Sequence, residues 1–95
     1  MTYLRVEWIH SFDSEPVELL SELDTTRYEI RKVERFRNGI LSFAGPAGAS
    51  GMTILSEKPI PSTEQIGADL QFHVVAIDRE TFEHAWQAAL ISAAA

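Results

Sequence analysis

The chain has 95 residues, 45% of them hydrophobic and none of them cysteine, with a formal net charge of −6. That length holds one hydrophobic core, so a single domain over residues 1–95 is expected. Without cysteine there is no disulfide framework, thiolate metal site or cysteine nucleophile, and the acidic balance disfavours nucleic acid, which needs a basic footprint to displace counterions.

Met1 to Glu7 has no basic leader and no uninterrupted apolar run. It reads as neither a secretory signal nor a membrane span, and a cytoplasmic location without membrane association is the default expectation. Leu4, Val6 and Trp8 alternate with Arg5 and Glu7, the period of a half-buried first strand. Ser11 to Pro16 is polar and proline-terminated, a loop. Val17 to Asp24 follows as a second strand with Val17, Leu19, Ser21 and Leu23 on one face. A turn at Thr25-Thr26 leads into a third strand, Arg27 to Arg37. Asn38-Gly39 fits a type I′ hairpin turn, and Ile40 to Ala44 returns as the fourth strand.

Two-residue loops at both turns predict a definite register. Phe36 falls opposite Leu41 and Glu34 opposite Phe43, while Leu23 falls opposite Tyr28 and Ser21 opposite Ile30. One face then gathers Val17, Leu19, Leu23, Tyr28, Ile30, Phe36, Leu41 and Phe43 as core. The other gathers Glu22, Asp24, Arg27, Glu29, Arg31, Arg35 and Arg37 as solvent face. Lys32 and Glu34 fall on the core side, either paired at its margin or turned out by a β-bulge between Ile30 and Phe36.

Gly45 to Gly51 reads as a flexible loop and Met52 to Leu55 as a short strand, with Pro59 and Pro61 breaking the chain beyond it. Ser62-Thr63-Glu64-Gln65 has the form of a capping box that starts a single helical turn ending near Gly67. Phe72 to Ile77 is a last strand. Asp78 caps a helix whose apolar residues Phe82, Ala85, Trp86, Ala89 and Leu90 form one stripe. Together these elements predict an α+β fold: a mostly antiparallel sheet of about five strands packed by a C-terminal amphipathic helix.

The run Tyr28-Glu29-Ile30-Arg31-Lys32-Val33-Glu34-Arg35-Phe36-Arg37-Asn38-Gly39 has further company in Trp8-Ile9-His10, Ser21-Glu22-Leu23-Asp24 and the segment Phe82 to Trp86. With these motifs nearly the whole chain resembles a family of short bacterial domains of unknown function. The resemblance implies a single-domain bacterial protein and carries no activity with it. Gly51-Met52-Thr53 departs from the glycine pair before threonine usual in that family.

Few residues suggest chemistry. His10 precedes Asp13 by three positions, the makings of a base and its orienting carboxylate, but no nucleophile accompanies them and a polar strand-end histidine is the plainer reading. His73 and His84 have no partner at ligand spacing, so no metal and no cofactor is expected. Glu29-x-Arg31-Lys32 is loosely similar to the carboxylate–x–lysine pattern of metal-dependent nucleases, but Glu29 and Lys32 are expected on opposite sheet faces. The glycine-rich loop lacks the lysine and helix of a phosphate loop. What remains is the charged strand. Glu22, Arg27, Glu29, Arg31 and Arg35 form a candidate interaction surface, set against the plainer reading of a solvated ion-pair lattice. The expectation is a small protein-binding module with a protein partner, in the manner of an immunity or antitoxin-like neutralising protein, with no catalytic residues. The alternatives are a small enzyme, or a nucleic-acid-contacting accessory domain using Arg27, Arg31, Arg35 and Arg37.

Overall fold

Alternation along the first strand divides the molecule into two layers. In the computed structural model, which describes residues 1–94, the elements run β1 (Thr2–Trp8), β2 (Glu18–Leu23), β3 (Glu29–Arg35), β4 (Leu41–Gly45), β5 (Gly48–Ala49), α1 (Thr63–Gly67), β6 (Phe72–Ile77) and α2 (Arg79–Ala94). The strands form one antiparallel sheet in the order β5-β4-β3-β2-β1-β6, so the fold class is α+β as expected, with six strands. Met52 to Leu55 forms no strand, whereas the glycine-rich segment folds back on itself to supply the two-residue β5.

Both hairpin turns are one residue longer than expected. Arg27 N–H donates to Asp24 O and Asp24 N–H to Tyr28 O, closing a loop of Thr25, Thr26 and Arg27. Gly39 N–H donates to Phe36 O and Phe36 N–H to Ile40 O, closing a loop of Arg37, Asn38 and Gly39 in the same way. In each, a turn is followed by one left-handed residue, Arg27 at φ 70° and Gly39 at φ 90°. Asp24 makes the first loop affordable to a non-glycine residue. Its Oδ1 accepts from Thr26 N–H and Oγ1 at 2.8 Å each and from Tyr28 N–H at 3.0 Å.

One added residue reverses side-chain parity, and the expected faces change accordingly. Leu41 pairs with Arg35, and Phe43 with Val33. Between β2 and β3 the register also shifts: Leu23 pairs with Glu29 but Glu22 with Arg31, leaving Ile30 as a bulge residue. The bulge lies at Ile30 itself rather than between Ile30 and Phe36. Leu19 and Leu23 therefore face away from Leu41 and Phe43, and the β3 residue that enters the helix-side core is Val33.

The helix behaves as its stripe predicts. Asp78 Oδ1 accepts from Thr81 N–H at 2.8 Å, and hydrogen bonds from Thr81 hold the Asp78 carboxyl below its ordinary range. Phe82 and Ala89 are fully buried among Tyr3, Leu20 and Val33, with Leu41, Phe43, Ile77, Ala85 and Trp86 around them. The Phe82 ring centroid lies 5.5 Å from that of Tyr3, and Trp86 meets Phe43 edge-on at 5.2 Å. The expected partners Tyr28, Ile30 and Phe36 are absent from this core; Tyr28 is exposed.

The sheet's other face is covered by the segment from Thr53 to Asp69, which includes α1 with the expected capping box at Ser62 and Gln65. A polar ladder ties that segment down. Thr53 Oγ1 donates to Glu34 and also meets Ser42 Oγ; Lys32 Nζ donates to Ile54 O at 3.0 Å; Ser56 N–H donates to Glu29 at 2.7 Å. Arg27 donates to Ile60 O at 3.0 Å and Pro61 O at 2.6 Å. The strap thus runs antiparallel across β3, engaging alternate charged side chains.

At Gly45 sheet and helix approach closely: a Cβ there would stand 2.9 Å from Trp86 Cη2 and 3.4 Å from Arg31 Cγ. Gly45→Ala is expected to destabilise by about 1–3 kcal/mol through overpacking, and Phe82→Ala by about 3–5 kcal/mol through the cavity it leaves. Urea denaturation of both variants checks this. An unchanged midpoint in Gly45→Ala would show that Trp86 yields without cost.

Candidate functional site

Glu22, Arg27, Glu29, Arg31 and Arg35 do not share one surface. Glu22, Arg31 and Arg35 lie on the helix side, Glu29 on the strap side, and Arg27 in the turn between β2 and β3. Glu22 and Glu29 are 6% and 8% exposed, so the expected solvent lattice is largely internal. The parity change at the loops and the Ile30 bulge cause this redistribution.

On the helix side, Arg31 is a clamp. Its Nε donates to Glu22 Oε1 at 2.6 Å and its Nη2 to Glu22 Oε2 at 2.9 Å, a two-pronged pair between neighbouring strands. Both Nη atoms also reach the Glu83 carboxylate on α2. The guanidinium carbon stands 5.0 Å from the Phe82 ring centroid and 5.1 Å from that of Trp86. Tyr3 OH donates to Glu22 Oε2 at 3.0 Å. The Arg31 hydrogen bonds hold the Glu22 and Glu83 carboxyls below their ordinary range, and those two carboxylates push the guanidinium up. Burial, followed by the hydrogen bond to Glu22, pushes the Tyr3 phenol up.

On the strap side, Glu29 and Lys32 meet at 3.0 Å, contrary to the opposite faces expected of them. With Ile30 bulged out, positions three apart face the same way. The Glu29 carboxylate is nearly sealed, accepting from Ser21 Oγ at 2.9 Å as well as from Ser56 N–H and Lys32. This pair lines a cavity of about 530 Å³. Val6, Leu19 and Phe72 of the sheet and Ile60, Pro61 and Ile66 of the strap form its apolar walls. Sequence periodicity carried one trace of it: Lys32 and Glu34 stood on an apolar face, where pairing at its margin or a nearby bulge had to account for them.

The end of the molecule near His10 is aromatic. Trp8 lies 4.3 Å from His10, 6.4 Å from Phe12 and 6.1 Å from Phe72 between ring centroids, while Ile9 and Phe12 are exposed. His10 Nε2 donates to Pro16 O at 2.7 Å and Nδ1 accepts from Phe12 N–H at 2.9 Å, so both ring nitrogens are committed to the loop. Asp13 turns instead toward Arg37, 3.8 Å away, and Arg37 also donates to the His10 carbonyl at 2.6 Å. Arg35 pairs with Glu18 at 3.3 Å. Among the described residues no three of His, Asp and Glu converge as a metal site would require, and no helix is long and apolar enough to cross a membrane.

The chain belongs to the family described as Domain of unknown function (DUF6881), whose model matches residues 2–91. Among curated proteins and among solved structures nothing matches it.

The Arg31 clamp has a pH signature. Glu22 and Glu83 titrate below the ordinary carboxyl value of 4.5 in the folded state. Their contribution is complete above that value and is lost as the pH falls through their depressed folded pKa values. Acidification below about pH 4.5 is therefore expected to lower the melting temperature, and Glu83→Gln is expected to make that decline shallower while costing a little stability at pH 7. Parallel melting profiles for Glu83→Gln and the parent chain would show that Glu83 does not contribute through its charge.

Proposed function

We propose that the domain is a protein-binding module that takes up an extended segment of its partner along the free edge of β6, in an immunity or antitoxin-like role in a bacterial cell. The observation that carries this reading is the contrast between the sheet's two edges. One edge is β5, only two residues long. The other is β6, Phe-His-Val-Val-Ala-Ile, which pairs with β1 over six positions without a bulge and has no strand on its outer side. Edges left open in soluble proteins are ordinarily blunted by shortness, proline, charge or a bulge, and β6 has none of these apart from the histidine.

The backbone pattern gives the polarity of that edge. Ile9 N–H donates to Gln71 O, so in the continued register the odd-numbered residues of β6 bond to β1, and Val74 and Ala76 direct their N–H and C=O groups outward. Those outward groups are what strand addition uses. The α2 helix packs over β2, β3 and β4, and His73 and Ala76 on β6 are exposed. Exposed Leu70 and Phe12 provide apolar contacts beside the strand's beginning. The charge of −6 favours a basic partner and fast, salt-sensitive encounter. A cytoplasmic setting is part of this proposal.

The partner to test is the product of the neighbouring gene. It is expected to co-purify with the domain and to bind more slowly as salt rises. Ala76→Pro removes an outward N–H that no internal bond uses, so affinity is expected to fall at least about tenfold with little change in melting temperature. Undiminished binding by Ala76→Pro would refute strand addition at β6.

A further inference from the structure

We infer that the cavity between the strap and the sheet is a binding site for a small, uncharged, mainly apolar molecule that bears one hydrogen-bond-accepting oxygen, received by the ammonium of Lys32. At about 530 Å³ the cavity is in the range of small-molecule sites. Its walls are formed by Val6, Leu19, Phe72, Ile60, Pro61 and Ile66, surfaces that reward a hydrocarbon body.

The polar groups narrow the chemistry of the head. Lys32 carries three donors, and Glu29 and the Ile54 carbonyl account for two of them. Its side chain is 13% exposed and lines the cavity, so the third donor serves an oxygen brought in by a ligand better than bulk water does. An anion is disfavoured because Glu29 already neutralises Lys32 at 3.0 Å and Asp69 adds negative charge to the lining. A cation finds no free acceptor at Glu29, whose carboxylate already accepts from Ser21, Ser56 and Lys32. A ketone, ester or ether oxygen on an apolar frame satisfies every group. Gln65 Oε1 does not compete for the third Lys32 donor, since it already accepts from Ser62 N–H at 3.0 Å.

The site is built rather than incidental. The strap that roofs it is pinned before α1 by Glu29 to Ser56 and by Arg27 to the Ile60 and Pro61 carbonyls, and after α1 it runs directly into β6 at Phe72. The walls therefore have a fixed separation without a ligand, the pre-organisation that lowers the cost of binding. This inference stands apart from strand addition at β6 and needs no partner protein.

The test uses two uncharged probes of matching shape, acetonaphthone and isopropenylnaphthalene, titrated against the intact domain by two-dimensional NMR. Both are expected to bind saturably at one site, with the largest shifts at Leu19, Ile60 and Ile66, and the ketone about tenfold more tightly through a hydrogen bond to a charged donor. Ile66→Trp fills the cavity and is expected to abolish both at an unchanged melting temperature. Glu29→Gln combined with Lys32→Met avoids an orphaned buried charge and is expected to erase the preference for the ketone while leaving hydrocarbon binding intact. Equal affinities in the parent chain would overturn the role of Lys32. Binding that survives Ile66→Trp, or no saturable binding at all, would overturn the site.

Discussion

The Ile30 bulge is the constraint on which the two-layer arrangement rests. In an unbroken strand Glu29, Arg31, Val33 and Arg35 would all point one way, and Glu29 would be driven under the helix beside Arg31 and against the apolar stripe. The bulge removes Glu29 from that series. Arg31 and Val33 then serve α2 and Arg35 pairs with Glu18 on the same face, while Glu29, Lys32 and Glu34 serve the strap. Charges that look alike in sequence thereby acquire different duties. The register shift also sets Glu29 opposite Leu23, a fully buried residue, at the corner where the strap crosses the sheet.

Arg31 and Glu22 illustrate what a buried ion pair contributes. Compared with well-packed apolar residues in the same place such a pair adds little stability, because desolvation offsets much of the attraction. Its geometry is the more consequential property. A planar guanidinium held on one edge by Glu22, on the other by Glu83, and flanked by the rings of Phe82 and Trp86 tolerates little rotation or sliding of α2. Gly45 reinforces this, because the space its missing Cβ leaves is occupied by the Trp86 ring. The apolar stripe drives the helix onto the sheet, and Arg31 fixes where along the sheet it lies.

The parts of this fold legible in sequence are those governed by local rules. The Asp78 cap, the Phe82–Trp86–Ala89 stripe, the Ser62 capping box and the β-branched run of β6 each depend on residues a few positions apart. The faces of β2, β3 and β4 were not legible, because they depend on whether a loop has two residues or three. Asn38-Gly39 suits both: two left-handed residues in the short loop, or glycine alone in the longer one, as found. At the first turn the left-handed residue is Arg27, which propensity alone would not select. Three donors converging on Asp24 Oδ1 and the anchoring of the Arg27 side chain to the strap stabilise it. The second of those partners is more than thirty positions away, out of reach of local reading. Missing the bulge at Ile30 was enough to merge Glu29 with Arg31 and Arg35 into one expected surface.

The distribution of internal ties also separates scaffold from surface. β2, β3 and β4 are held on one side by α2 and Arg31 and on the other by the strap, with side-chain hydrogen bonds at nearly every alternate position of β3. β6 has no strand on its outer side, and His73 and Ala76 on it are exposed. Phe72 connects the two regions, as it floors the cavity and begins the free edge. Binding features in compact domains are characteristically placed on margins positioned by a rigid interior. Here the interior held by these ties carries the charged strands, and the margin proposed for recognition is the uncharged strand β6.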